Sequence, residues 1–232
     1  MYKPFNATPI LIFMVFLTSA QNTCSTFYPM TEGASYNYEQ LNKKGKIEGT
    51  SSYTVTEVTS EAGNTQATMK ITYMDGKGKN AMESDFSITC TTNGILIDFE
   101  SLFPTQMRQQ YDGMNMDMDL TGTDIELPNN LTVGQELADA NITVTMNMGA
   151  MNMKMEVNTI DRKVIAKESV TTKAGTFDCF VIGSTTESKV MMSKQSFSDK
   201  IWLAPGIGLI KQESYSKNGK LMGSMELESY SK

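Results

Sequence analysis

Ala67 to Phe99 reads ATMKITYMDGKGKNAMESDFSITCTTNGILIDF, and its rhythm recurs along the rest of the chain. Ala67, Met69, Ile71 and Tyr73 alternate with Thr68, Lys70 and Thr72, while Phe86, Ile88 and Cys90 alternate with Asp85, Ser87 and Thr89. Successive side chains of a strand point to opposite faces, so this spacing predicts strands with one buried face and one wet face. Asp75-Gly76 and Asn93-Gly94 supply the turns. Asn93-Gly94 suits a two-residue type I′ hairpin. That turn would pair Thr92 with Ile95, Cys90 with Ile97 and Ile88 with Phe99, and would point Cys90 inward.

Turn signals of the same kind occur at Lys44-Gly45, Gly149-Ala150, Ala174-Gly175, Pro205-Gly206 and Asn218-Gly219. Short strands so punctuated predict an all-β antiparallel sandwich or barrel of about eleven or twelve strands, not βαβ units. One segment breaks the rhythm. Ser101 to Asp112 carries an early proline, glutamines and an arginine with glycine just beyond, which predicts one short helix around Pro104–Tyr111. Asn129 to Gln135 reads as a loop. No linker divides the chain, so residues 21–232 are expected to form a single β-rich domain.

The first twenty residues read as an export signal. Lys3 precedes the apolar run Ile10 to Leu17, and Thr18-Ser19-Ala20 supplies small residues for cleavage after Ala20. The run is far short of the ~20 apolar residues that a bilayer span needs. Cys24 follows Gln21-Asn22-Thr23, which is not the setting of a lipid-modified cysteine. The chain is therefore expected to be exported, periplasmic or envelope-associated, and soluble after cleavage, with no transmembrane span. Of Cys24, Cys90 and Cys179, one pair can bridge in an oxidising compartment, or all three can be small buried hydrophobes.

Composition excludes several chemistries. The 232 residues carry a formal charge of −6, which argues against nucleic-acid binding. Histidine is absent, so Ser-His-Asp and Cys-His nucleophiles and HExxH zinc sites are excluded. Methionine is abundant, with 19 residues. Met114, Met116 and Met118 alternate with polar residues. A Gly149-Ala150 turn would set Met148 against Met151, Met146 against Met153, Val144 against Met155 and Ile142 against Val157. The plain reading is a hairpin that buries an adaptable apolar face. The sharper one is a soft-metal site in which thioethers hold Cu(I). A third is a re-packable surface for an apolar ligand.

Other constellations read as structure. Asp117 with Asp119 and Glu226 with Glu228 share strand faces, as solvating carboxylates do. Lys211 and Glu226 are expected to face each other across the Asn218-Gly219 hairpin as an exposed ion pair. Gly76 and Gly78 lack any Walker pattern around them and read as a turn. No catalytic, cofactor-binding or metal-ligating residue is identified.

The C-terminal half carries Asp161-Arg162-Lys163-Val164, Thr171-Thr172-Lys173-Ala174-Gly175-Thr176-Phe177-Asp178-Cys179 and Trp202-Leu203-Ala204-Pro205-Gly206-Ile207-Gly208-Leu209-Ile210-Lys211 in order. Upstream stand Phe27-Tyr28-Pro29, Ile88-Thr89-Cys90 and Leu127-Pro128-Asn129-Asn130-Leu131. This resembles the TapB-like family of exported bacterial proteins of unknown function, related to a wider domain-of-unknown-function group. The resemblance implies a strongly curved antiparallel sheet or incomplete barrel, similar to periplasmic lipoprotein carriers. It implies no reaction. Lys173 stands where relatives often carry proline, which implies a less rigid hairpin. The expected function is a non-enzymatic envelope protein, without a cofactor, that binds an apolar or lipid-like ligand on its concave face. A Met-rich Cu(I) binder and an envelope structural or assembly factor are the alternatives.

Overall fold

A computed structural model describes residues 24–61, 64–79, 82–99, 101, 117–148 and 151–232. The signal segment, the Pro104–Tyr111 helix and the Gly149-Ala150 turn lie outside the described residues. Among the described residues, thirteen antiparallel strands form one curved, unclosed sheet. They are β1 (Ser35–Asn42), β2 (Ile47–Glu61), β3 (Asn64–Asp75), β4 (Met82–Cys90), β5 (Gly94–Ile97), β6 (Asp117–Gly122) and β7 (Ile125–Pro128), then β8 (Ala140–Met148), β9 (Met151–Thr172), β10 (Gly175–Val190), β11 (Ser193–Ala204), β12 (Gly208–Ser216) and β13 (Leu221–Ser231). Their order is β6-β8-β9-β10-β11-β12-β13-β1-β2-β3-β4-β5-β7.

The two edge strands, β6 and β7, are consecutive in the chain and separated by Thr123 and Asp124 alone. The sheet thus curls until its edges meet, although no ladder joins them. Loop hydrogen bonds bridge the gap instead. Leu137 N–H donates to the Arg162 carbonyl at 2.8 Å and Val164 N–H to the Gln135 carbonyl at 2.9 Å. Arg162, only 5% exposed, donates from Nη2 to the Glu126 carbonyl of β7 at 2.9 Å and from Nη1 to the Ala138 carbonyl. A guanidinium suits this role because it carries five fixed donors. Bulges around Arg162 and Ile165 bend β9 where this happens, and Asp161 takes a φ of 55°. Aspartate tolerates that left-handed region better than most residues.

The alternation in Ala67–Phe99 survives in the fold. Ala67, Met69, Phe86, Ile88 and Cys90 are all buried in one core with Tyr36, Tyr38, Val55, Ile95 and Leu127. The β4–β5 register differs from expectation. Cys90 pairs with Ile95 and Ile88 with Ile97, two residues from the pairing that an Asn93-Gly94 turn would give. The tip is Thr92-Asn93, and Thr91 N–H donates to the Gly94 carbonyl at 2.8 Å. Gly94 answers to β7 instead of the turn: a Cβ there would lie 2.2 Å from the Leu127 carbonyl oxygen. A two-residue slip keeps every side chain on its own face, so the hydrophobic pattern could not detect it.

Residues 24–34 form a plug at one end of the sheet. Cys24 is bridged to Cys90, with Cα atoms 5.8 Å apart, so its sulfur is committed to the bridge. The Thr26 carbonyl accepts from Gly206 N–H at 2.7 Å, and Asn129 Nδ2 donates to the Cys24 carbonyl at 2.9 Å. Phe27, 1% exposed, meets Phe180 edge-on at 6.1 Å. Cys179 is buried and free.

Candidate functional site

Ladder rows across the sheet show what lines its interior. Tyr36, Tyr53, Ile71 and Ser84 form one row across β1 to β4. Leu227, Tyr38, Ser51 and Tyr73 form the next, from β13 to β3, and Gln212, Met225, Gln40 and Gly49 the one above, from β12 to β2. Tyr53 stacks edge-on against Tyr38 at 5.1 Å and against Phe86 at 6.3 Å, which makes an aromatic floor. Tyr38 Oη donates to the Leu209 carbonyl at 2.9 Å and ties the floor to β12.

Above this floor the interior is not filled. A cavity of about 480 Å³ lies between Tyr53, Tyr73, Met225, Gln40, Gln212 and Ser214. A second hollow of about 750 Å³ shares Glu48 and Met222 with it and reaches the turns Asn42–Lys46 and Ser216–Lys220. The walls differ in chemistry. Tyr53, Tyr73, Leu41 and Met225 are apolar, whereas β12 contributes Gln212 and Ser214. Behind Ser214 stands Asp199, 8% exposed, which accepts from Ser214 Oγ at 2.6 Å and from Thr186 Oγ1 at 2.8 Å. These hydroxyls satisfy a carboxylate that burial would otherwise penalise. Among the described residues, Tyr36 Oη and Ser84 Oγ are buried without a hydrogen-bond partner, and both sit in the interior row below the cavity.

Burial dominates the titration of the interior. It raises the phenols of Tyr28, Tyr38 and Tyr53 and pushes Tyr36 up to about 12. The same cause pushes the Cys179 thiol up to about 11, with the fields of Asp178 and Glu168 adding to it. A protonated, buried thiol is inert as a nucleophile.

The face opposite the cavity carries a separate ion network. Trp202, Lys211, Glu226 and Glu39 form one row across β11, β12, β13 and β1. Lys211 lies 2.9 Å from Glu213 and 3.4 Å from Glu226, above the Trp202 ring, whose Nε1 donates to Glu168. Burial opposes the Lys211 charge, but the two glutamates outweigh it and raise its pKa. Lys211 and Glu226 thus pair as the hairpin predicts, though part-buried and not fully exposed. Lys173 reaches Glu39 at 2.5 Å, so the β9–β10 turn is anchored to β1.

The methionine strands lie elsewhere. Met148 pairs with Met151, Met146 with Met153, Val144 with Met155 and Ile142 with Val157, all as the sequence predicts. Met118 of β6 extends the Met146–Met153 row. Met146, 4% exposed, belongs to a small second core with Ile142 and Val144, against which Met118, Leu120, Met153, Met155 and Phe99 pack. The cavity therefore falls on β12, β13 and β1 to β3, which the methionine pattern did not single out. Gln40, Ser51, Gln212 and Ser214 gave no signal as inward residues because they are polar. Asp119 is exposed, as a solvating carboxylate should be. Gly78 closes a hairpin turn at φ 67°, which agrees with reading Gly76-Lys77-Gly78 as a turn.

The geometry defines a class: a curled single-sheet β protein, plugged at one end and hollow towards the other. The chain belongs to the DUF3108-like family, whose pattern matches residues 31–227. Solved structures with this fold include a Bacteroides fragilis protein with a YmcC-like fold, assigned as exported. It is 21% identical, with a TM-score of 0.70, and the match covers 90% of this chain and 100% of that one. A Parabacteroides distasonis protein assigned as a lipoprotein is 24% identical, with a TM-score of 0.69, covering 89% and 99%. Curated proteins offer no match. Among the described residues, no helix is long and apolar enough to cross a membrane.

Proposed function

We propose that the chain is an exported, non-enzymatic envelope protein of the TapB-like branch, cleaved after Ala20, which holds a lipid-like ligand in the cavity above the Tyr38–Tyr53–Phe86 floor. The observation that carries this reading is the open hollow of about 480 Å³ between Tyr53, Tyr73, Met225 and Gln212. It lies within the range of about 300–1,000 Å³ typical of small-molecule sites. The mixed walls suit an amphipathic molecule, with aromatic and thioether surface for a chain and amides and a hydroxyl for a polar group. The export signal, the DUF3108-like membership and the likeness of the fold to structures assigned as an exported protein and a lipoprotein support the envelope setting. The non-enzymatic reading is supported by the missing histidine and by the protonated state of Cys179. A second reading, Cu(I) binding, draws on the Met118–Met146–Met153 row, but Met146 is only 4% exposed and also packs with Ile142, Val144, Leu120 and Phe99, which favours packing.

The test is titration with a dansylated fatty acid. One-to-one binding is expected, weakened by about tenfold or more in Gln212→Trp, which fills the cavity. Saturable binding that is indifferent to Gln212→Trp would place the ligand elsewhere, and no binding would reject this ligand class.

A further inference from the structure

Three hairpin turns stand side by side at the end of the sheet where the cavity opens. Ladder rows link them: Gly223 pairs with Asn42, Leu41 with Ile47, and Gly49 with Asp75. The turns are Asn42–Lys46, Asp75–Lys79 and Ser216–Lys220, and they share one construction. The first side chain accepts backbone N–H groups of its own turn. Asn42 Oδ1 accepts from Lys44 and Lys46, Asp75 Oδ1 from Lys77 and Lys79, and Ser216 Oγ from Lys220. The fourth residue is glycine, with φ of 72°, 67° and 72° for Gly45, Gly78 and Gly219. The fifth is lysine every time: Lys46, Lys79 and Lys220. Turn chemistry demands the capping oxygen and the glycine. It does not demand the lysine.

The charge accumulates. With the adjoining Ile47-Glu48, these turns carry seven lysines, 43, 44, 46, 77, 79, 217 and 220, against the carboxylates of Asp75 and Glu48. Asp75 is engaged with its own turn, and Glu48 accepts from Asn42 Nδ2 at 2.9 Å. All seven lysines are exposed, and among the described residues none is held in an ion pair. Yet the whole chain carries a formal charge of −6, so the remainder is strongly acidic. Two large apolar side chains stand among these lysines, Ile47 at 50% and Met222 at 54% exposure.

We propose that this lysine-bearing end docks on the surface of a bilayer containing anionic lipid. Lysines near such a surface are attracted over about one Debye length, and apolar side chains between them enter the headgroup layer. The acidic remainder is repelled by the same surface, so one end alone faces the lipid. The cavity then opens towards the bilayer, but docking requires only the turns and does not depend on what the cavity holds.

The experiment is co-sedimentation of the purified protein with vesicles of phosphatidylcholine containing about a third phosphatidylglycerol, at about 0.02 M and about 0.5 M salt. Binding is expected at low salt, with a loss of about tenfold or more at high salt and on pure phosphatidylcholine. The variant Lys44→Glu/Lys220→Glu should lose about tenfold, and the charge-neutral Lys44→Gln/Lys220→Gln should lose part of the binding. The charge-matched control Lys163→Glu/Lys232→Glu, away from these turns, should retain it. Absence of binding at low salt, equal binding to pure phosphatidylcholine, or equal loss in the control would each overturn the proposal. So would tighter binding to poly-glutamate than to anionic vesicles, which would point to an acidic polymer as the partner.

Discussion

Ile88 is 1% exposed and sits between Ala67 of β3 and Ile97 of β5. Truncating it leaves a hole that the surrounding strands cannot close, so Ile88→Ala should cost about 2–5 kcal/mol. Urea unfolding measures this, and a loss under about 1 kcal/mol would contradict the burial. The interior tyrosines make a prediction in pH. Tyr36 moves from 10.0 to about 12, and Tyr38 and Tyr53 move in the same direction. Raised phenols stay protonated in the fold at a pH where unfolded phenols ionise. Their contribution is therefore complete below pH 10 and is lost as pH rises through and past 12. Thermal melts across that range, read with phenolate absorbance, should show ionisation and unfolding together. Titration of Tyr36, Tyr38 and Tyr53 near pH 10, with the fold intact, would refute the burial argument.

Within elements, the β8–β9 hairpin separates packing from metal chemistry. Met146 and Met153 pair across it inside an apolar cluster that also holds Met118, Met155, Phe99 and aliphatic side chains. Leucine has nearly the same volume but no thioether, so each Met→Leu exchange should cost less than about 1.5 kcal/mol. The double variant should fold, and the wild type should show no tight Cu(I) affinity in a chelator competition. Tight one-to-one Cu(I) binding, lost in the double variant, would instead favour the soft-metal reading. The β4–β5 hairpin shows the limit of pattern reading at this scale. Alternation reports which face a residue occupies, but shifting the partner by two residues leaves that pattern unchanged. The observed register places Gly94 against the β7 backbone, where a Cβ would lie 2.2 Å from the Leu127 carbonyl oxygen, a contact that no local pattern reports.

At the scale of the molecule, the curled sheet is held by two long-range devices. Arg162 bonds carbonyls from the segments on either side of the gap, and Cys24–Cys90 fastens the plug to β4. The bridge joins residues 66 apart, which in the chain-entropy view contributes about 4 kcal/mol. Reduction, or Cys24→Ser with Cys90→Ser, should lower stability by an amount of that order. Calorimetry with and without reductant measures it. An unchanged melting temperature would show that the plug is held by Phe27 and Asn129 alone.

How much of this was legible depends on the range of the physics. Alternation in Ala67–Met74 and Phe86–Cys90, the hairpin from Ile142 to Val157 and the pairing of Lys211 with Glu226 are local, because strand period and turn chemistry act over a few residues. The sequence by itself therefore determined the all-β class, most strand faces and the methionine register. Which cysteines bridge, how the thirteen strands are ordered and where the interior stays empty depend on residues far apart in the chain. The cavity is lined partly by polar side chains such as Gln40, Gln212 and Ser214, which hydrophobic patterning assigns to solvent. Only the curling of the sheet, which brings β12 and β13 beside β1 to β3, turned those residues inward.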